Sequence, residues 1–174
     1  IHYPSAHGEH LWDALMGAGA EHGLRPFGLE PQRLLRLQKM HILVGQDTDS
    51  ETTPFGANLG FAVKLDKEQN FIGRWALEHY AERDPVQALV GYSCPGGEVP
   101  TEGAAVVDAG GTVIGQVTSA RRSPLLERSI GLALVAPAFA ADGGEITISD
   151  NGKRFAATVQ TAPFYDPEGE LLRS

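Results

Sequence analysis

The sequence predicts an α+β fold: a partial α/β domain followed by a small antiparallel β-domain. Three observations carry this. Residues 1–84 hold three runs with helical apolar spacing and one short strand pattern. From Val86 onward come six short strand-like runs in roughly 75 residues, separated by turn signals and without a helical period. Between the two textures lies Asp84-Pro85, where proline pushes the preceding residue out of the helical region. The expected domains are therefore residues 1–84 and 85–174. Three helices and one strand make the first an incomplete α/β domain; the second reads as a barrel or a sandwich.

The elements follow in order. Ile1-His2-Tyr3-Pro4 reads as the tail of a strand, and the sequence is expected to be a piece of a longer polypeptide. Ser5 caps a helix running to about His22, with Glu9 near its start and Gly23 just past its end. Leu11, Trp12, Leu15 and Met16 form one apolar stripe on it. His2, His7 and His10 are expected to be solvated, because no cysteine or carboxylate pattern completes a metal site.

Gly28-Leu29-Glu30-Pro31 opens a second helix, with Pro31 in the tolerated first turn. Leu34 and Leu37 share a face with His41, and Leu35 widens it. Arg33, Arg36 and Lys39 form a basic row in an acidic chain. That row is either a solvated face paired with acids such as Glu30 or an anion-binding row, since a guanidinium fork matches a carboxylate.

The loop from Gly45 to Pro54 holds three acids and no base. Asp47, Asp49 and Glu51 fall at the first, third and fifth places of a calcium loop. Thr52 stands where that loop needs glycine, and Asn58 where it needs a bidentate glutamate. No metal is assigned: the side chains are expected to bond neighbouring backbone N–H groups instead. A strand is expected over Gly60–Leu65. Asn70 then caps a third helix, whose buried face is Phe71, Ile72, Trp75, Ala76 and Tyr80.

The six strands are expected at Val86–Cys94, Ala104–Asp108, Thr112–Thr118, Ser129–Val135, Glu145–Ser149 and Arg154–Gln160. Gly110-Gly111 and Asn151-Gly152 are hairpin turns. Arg121-Arg122 reads either as an anion site or as a solvated turn.

Composition excludes some classes of function. A net charge of −8 argues against nucleic acid, whose phosphates need a basic footprint. No apolar run is long enough to span a membrane. The single cysteine, Cys94, forms no internal disulfide, reads as a buried strand-end residue and fits a reducing, cytoplasmic compartment. There is no phosphate loop, dinucleotide glycine fingerprint, nucleophile elbow or HExxH motif, so no catalytic residue is assigned.

Several motifs in order resemble the folate-dependent aminomethyltransferase family. They are Gly28-Leu29 with Leu35-Arg36-Leu37, then Gly45-Gln46-Asp47-Thr48-Asp49 with Thr53-Pro54, then Asn70-Phe71-Ile72-Gly73-Arg74 with Ala76-Leu77. In the second half come Ile114-Gly115-Gln116-Val117-Thr118-Ser119, Ser123-Pro124 and Pro163-Phe164-Tyr165. The family includes the T-protein of glycine cleavage and the C-terminal halves of the sarcosine oxidase alpha subunit and dimethylglycine dehydrogenase. The wording from Arg33 to Asp49 resembles sarcosine oxidase alpha most.

The resemblance implies a three-domain parent around a folate channel, of which this chain supplies the end of one α/β domain and a C-terminal β-barrel. The catalytic aspartate and the pterin-binding glutamate would lie upstream of Ile1. It implies tetrahydrofolate as the one-carbon acceptor, with flavin or NAD only in other parts of a parent. The implied partners are the remaining domains or subunits and the folate itself. Gln32 stands where the family's folate-holding arginine falls; Arg33 and Arg36 beside it, with Arg173 near the end, complete the implied folate contacts. The implied function is the tetrahydrofolate part of a sarcosine oxidase-like amine-demethylating enzyme. The alternatives are a glycine-cleavage aminomethyltransferase or a non-catalytic folate-binding or assembly module of the same fold.

Overall fold

The computed structural model describes every residue except Asp84, Leu172 and Ser174. It comprises two compact units, Ile1–Gln32 and Arg33–Ser174. Asp84, half of the expected boundary, lies outside the described residues.

In the first unit, residues Ser5 to His22 form one continuous helical run with the expected bounds. Its core is α1 (Gly8–Gly19), with a 3-10 turn at each end. Ser5 makes no side-chain cap. Gly23 ends the run at φ 69°, and the chain folds back so that the Leu24 amide donates to the Gly19 carbonyl at 2.9 Å. Leu24 then lies so close that a Cβ on Gly19 would meet it at 2.4 Å. Trp12 and Leu15 of the apolar stripe are exposed, and Ile1–Pro4 forms no strand.

The unit boundary falls within α2 (Leu29–Gln38). The second unit is built on a closed barrel of six antiparallel strands: β1 (Ala88–Cys94), β2 (Ala105–Val107), β3 (Val113–Ser123), β4 (Arg128–Val135), β5 (Glu145–Asp150) and β6 (Lys153–Gln160). Their order around the barrel is β1-β4-β3-β2-β5-β6, with β6 pairing back on β1. Closure removes every free edge, which decides for a barrel over a sandwich. Asn151 and Gly152, both at positive φ, make the two-residue turn between β5 and β6.

Side chains alternating inward fill the barrel: Val90, Tyr92, Val106, Val117, Ile148 and Val159 are almost fully buried. The ring of Tyr92 occupies the space that a Cβ on Gly131 would fill. A second cluster lies outside, where Leu37 of α2 packs against Leu89, Ile130, Leu132, Leu134 and Phe164. Burying a side chain such as Leu37 contributes about 1.5–3 kcal/mol. Helix α2 ends there in a Schellman turn: the His41 amide donates to the Arg36 carbonyl and the Met40 amide to the Leu37 carbonyl. Met40 takes the left-handed position at φ 55°, usually held by glycine, and packs with this outer cluster.

Three local expectations are corrected. Gly60–Leu65 is not a strand; Gly60–Ala62 is a 3-10 turn, and among the described residues no strand pairs with it. An extended segment without a ladder leaves its backbone groups to local turns. Helix α3 spans Arg74–Ala81 and begins at Gly73 in a left-handed conformation, while Asn70 only accepts a bond from the Phe71 amide. Its expected buried face is open: Ile72, Trp75 and Tyr80 are exposed. Arg121 and Arg122 lie within β3, not in a turn, and bond Glu102 and the Gly96 carbonyl.

Candidate functional site

The polar centre of the second unit is built from three places distant in sequence: the last turn of α2, the loop after it, and β3. The chain turns back at Leu43, whose amide and carbonyl both contact Asp47. This brings the Asp47 carboxylate under Arg36. On the opposite side, β3 has an irregularity between Val117 and Ser119 in its pairing with β4. Thr118 and Ser119 thereby both present hydroxyls to Asp47, where a regular strand would send one to each face.

Asp47 is 0% exposed and accepts four hydrogen bonds. Oδ2 takes Arg36 Nη1 at 2.5 Å and the Leu43 amide at 2.8 Å; Oδ1 takes Thr118 Oγ1 and Ser119 Oγ, each at 2.6 Å. Ser119 Oγ also accepts Arg36 Nη2 at 2.6 Å and Gln46 Nε2 at 2.9 Å. Arg36 Nη1 reaches the His41 carbonyl at 3.2 Å, while its buried Nε has no partner. The carboxylate is fully satisfied, so this buried pair meets the condition under which a buried charge is tolerable.

A second seam runs beside it. Gln38 is buried and donates to Ser123 Oγ at 3.1 Å, and its carbonyl accepts the Tyr165 amide at 3.1 Å. Lys39 pairs with Asp166 through both the backbone carbonyl and the carboxylate. The basic row is thus mostly consumed internally: Arg36 and Lys39 anchor α2 to other parts of the unit, and Arg33 is the exposed member.

Such an arrangement holds geometry and does not perform chemistry. The Ser119 hydroxyl is buried and gives its proton to a carboxylate already held by arginine, so it is no nucleophile. Cys94 ends β1 fully buried, and burial pushes its thiol up to about 11. In the acidic loop, Asp49 Oδ1 accepts the Glu51 amide, the Thr52 amide and the Thr52 hydroxyl. No group of three or more metal-ligating side chains occurs among the described residues. None of their helices is long and apolar enough to cross a membrane.

The residues singled out for folate are placed as follows. Gln32 and Arg33 are exposed on α2. Arg36 is half-buried and engaged in the Asp47 network. Arg173 is exposed and its guanidinium bonds the Glu168 carbonyl. A cleft of about 470 Å³ is lined by Lys39, Met40, Leu59, Phe61, Leu89 and Pro163 among others, and no carboxylate is among its walls. The pairing of Arg36 and Asp47 with Ser119 was missed by sequence reasoning; no local spacing links residues 72 and 83 positions apart.

Fold and site together define a class: a closed six-stranded antiparallel barrel with a helix riveted to its outer wall by a buried Arg-Asp-Ser network. Comparison with known proteins gives the family. Residues 1–67 match the GCVT N-terminal domain and residues 87–166 the glycine cleavage T-protein C-terminal barrel domain. The chain is 45% identical over 163 residues to an aminomethyltransferase of Streptomyces coelicolor, covering 91% of this chain and 44% of that protein. It is 41% identical over 155 residues to one from Geobacillus thermodenitrificans, covering 89% and 42%. The crystal structure of glycine cleavage system aminomethyltransferase T from Bartonella henselae superposes with a TM-score of 0.83 at 28% identity, over 94% of this chain and 45% of that one. The chain belongs to the glycine cleavage T-protein family of aminomethyltransferases, and it spans less than half the length of these relatives.

Proposed function

We propose that this chain forms the C-terminal part of an aminomethyltransferase of the glycine-cleavage type, acting with the remaining portions of such an enzyme and with other glycine-cleavage components. The observation that carries this is the ordered match of both family domains along one chain, at 41–45% identity to proteins named aminomethyltransferase. The same relatives favour this reading over a sarcosine oxidase-like one. The division into residues 1–84 and 85–174 belongs to this proposal, as does a reducing, cytoplasmic setting supported by the unpaired, buried Cys94.

The family's one-carbon acceptor is tetrahydrofolate, whose reduced nitrogen supplies the nucleophile when it is bound. Gln32 and Arg33, exposed on α2, and Arg173 have polar groups suited to its carboxylates and amides. Arg36 contributes by holding α2 in place, since both its terminal nitrogens are engaged. Each of these side chains has the chemistry to meet the acidic end of a folate, and the separate cleft beside Lys39 and Met40 has no carboxylate in its walls to handle a proton at a reacting nitrogen.

Calorimetric titration of a reduced folate into this chain tests the reading. Exposed charge contacts contribute about 0–1 kcal/mol each, so binding is expected to be about millimolar at best, with no one-carbon transfer. Arg33→Ala and Gln32→Ala weaken it further. A micromolar constant, or activity from this chain alone, overturns the placement of the site.

A further inference from the structure

Past β6 the chain comes back to α2 in two parts. The first, residues 160–165, is pinned to the barrel wall. Gln160 Nε2 donates to the Ala162 and Pro163 carbonyls at 3.0 and 3.4 Å, and the Tyr165 amide donates to the Gln38 carbonyl at 3.1 Å. Phe164 is buried; its ring and the Met40 methyl both close on Gly91 of β1, where a Cβ would meet them at 2.9 and 3.0 Å. The second part, residues 166–171 with Arg173, is a knot tied on Asp166, which turns the chain at φ 48°. The Asp166 carbonyl accepts the Gly169 amide at 2.9 Å, and its Oδ1 accepts the Glu170 amide at 2.8 Å. The Arg173 amide donates to the Glu170 carbonyl at 3.1 Å, and its guanidinium donates to the Glu168 carbonyl.

Those bonds fold the knot on itself. Lys39 joins it to the end of α2: its ammonium donates to the Asp166 carbonyl and lies 3.6 Å from Asp166 Oδ2. A lysine head is a point charge with three donors, so it serves both oxygens at once. The side chains of Lys39 and Asp166 are 21% and 11% exposed, which spares the pair much of the screening that makes surface pairs weak. We infer that Lys39 and Asp166 are positioning residues: their pair latches the C-terminal knot to α2 and so fixes where Arg173 presents its guanidinium. With the latch closed, Arg173 is held to the helix that carries Arg33. With it open, an anion must order the knot before Arg173 can help, which costs affinity. The latch stands on the contacts of Asp166; its effect on a ligand rests on the reading that brings Arg173 to the acidic end of a folate.

Hydrogen exchange followed by NMR tests the latch with no ligand present. Lys39→Met keeps an unbranched apolar stem and removes the charge and the donors. It speeds exchange of the Gly169, Glu170 and Arg173 amides by at least about tenfold, the mark of local opening, while the Tyr165 amide and the barrel amides stay unchanged. Lys39→Arg, which keeps charge and donors, restores the slow exchange. Unchanged knot amides in Lys39→Met overturn the inference. So does a loss of protection that extends to the barrel, which would make Lys39 a general stabiliser. Titration of a reduced folate, followed by chemical shifts, then tests the positioning. Lys39→Met weakens binding about as much as Arg173→Ala, and the double variant loses no more than either, since both changes remove one contact. Additive losses, or undiminished binding by Lys39→Met beside weakened binding by Arg173→Ala, overturn the positioning. If Arg173→Ala leaves binding unchanged, the folate placement fails instead, and the exchange measurement alone decides the latch.

Discussion

Arg36 and Asp47, eleven residues apart, meet at 2.5 Å with the carboxylate fully removed from solvent, and both also bond Ser119 of the barrel. Removing one member of such a pair strands the other. Asp47→Ala is expected to destabilise the chain by about 3–5 kcal/mol, and Ser119→Ala by about 1–3 kcal/mol. The double variant Arg36→Met with Asp47→Leu should be less harmful than either single change, because no charge is left buried. Urea denaturation of the unaltered chain, Arg36→Met, Asp47→Leu and their double checks this; a loss in the double equal to the sum of the single losses would remove the coupling.

Gly131→Ala should be severely destabilising, by about 3 kcal/mol. A Cβ there would lie 2.1 Å from the Ser119 carbonyl oxygen and 2.5 Å from the Tyr92 ring. Backbone meets it on one side, so trimming Tyr92 does not relieve the clash. Thermal melts of Gly131→Ala with and without Tyr92→Leu test this; full rescue by the smaller side chain would show that only the ring is in the way.

Cys94 should resist alkylation at pH 8 in the folded chain and react on denaturation, since burial raises its thiol from 9.0 to about 11. The sign for stability follows. The unfolded thiol ionises first, so the stability held below about pH 9 is lost as pH rises toward about 11, by at most about 3 kcal/mol. Burial also raises Tyr92, and its contribution falls in the same direction at still higher pH. Cys94→Ala should flatten the alkaline decline measured by denaturant unfolding; an unchanged slope would assign it elsewhere.

The acidic loop should need no cation. Asp49 is held below the usual carboxylate range, first by the Thr52 hydroxyl and then by the Glu51 amide. Its contribution to loop order is therefore present above the ordinary value of 3.8 and lost as pH falls through the lowered one. Thr52→Val should move the Asp49 titration, followed by NMR, back upward. A chelator should leave Tm unchanged, and a clear drop would reinstate a metal.

The barrel was legible because its information is local. Each strand carries its own alternation and turn residues; five of the six predicted strands fall within two residues of the observed ends, and β3 runs five residues further. The run from Ser5 to His22 is likewise written in nearby signals, with Gly23 closing it. Gly60–Leu65 and the Ile72-Trp75 face were misjudged for a different reason. Apolar alternation states that a surface is to be covered, not that its cover is present.

The candidate site divides in the same way. The sequence by itself determined the helical first part, the positions of six strands, the turn at Asn151-Gly152 and the family, because propensities, turn chemistry and motif order are properties of short segments; their order around a closed barrel came from the structure. Only the tertiary structure decided that Asp47 belongs to Arg36 and Ser119, that Met40 ends α2 against the barrel, and that Arg36 and Lys39 turn inward. Those outcomes depend on which distant groups are brought together as water is excluded. Once Asp47 is buried, the nearest donors must satisfy it, and in this fold they lie on a helix eleven residues before it and a strand more than seventy residues after it.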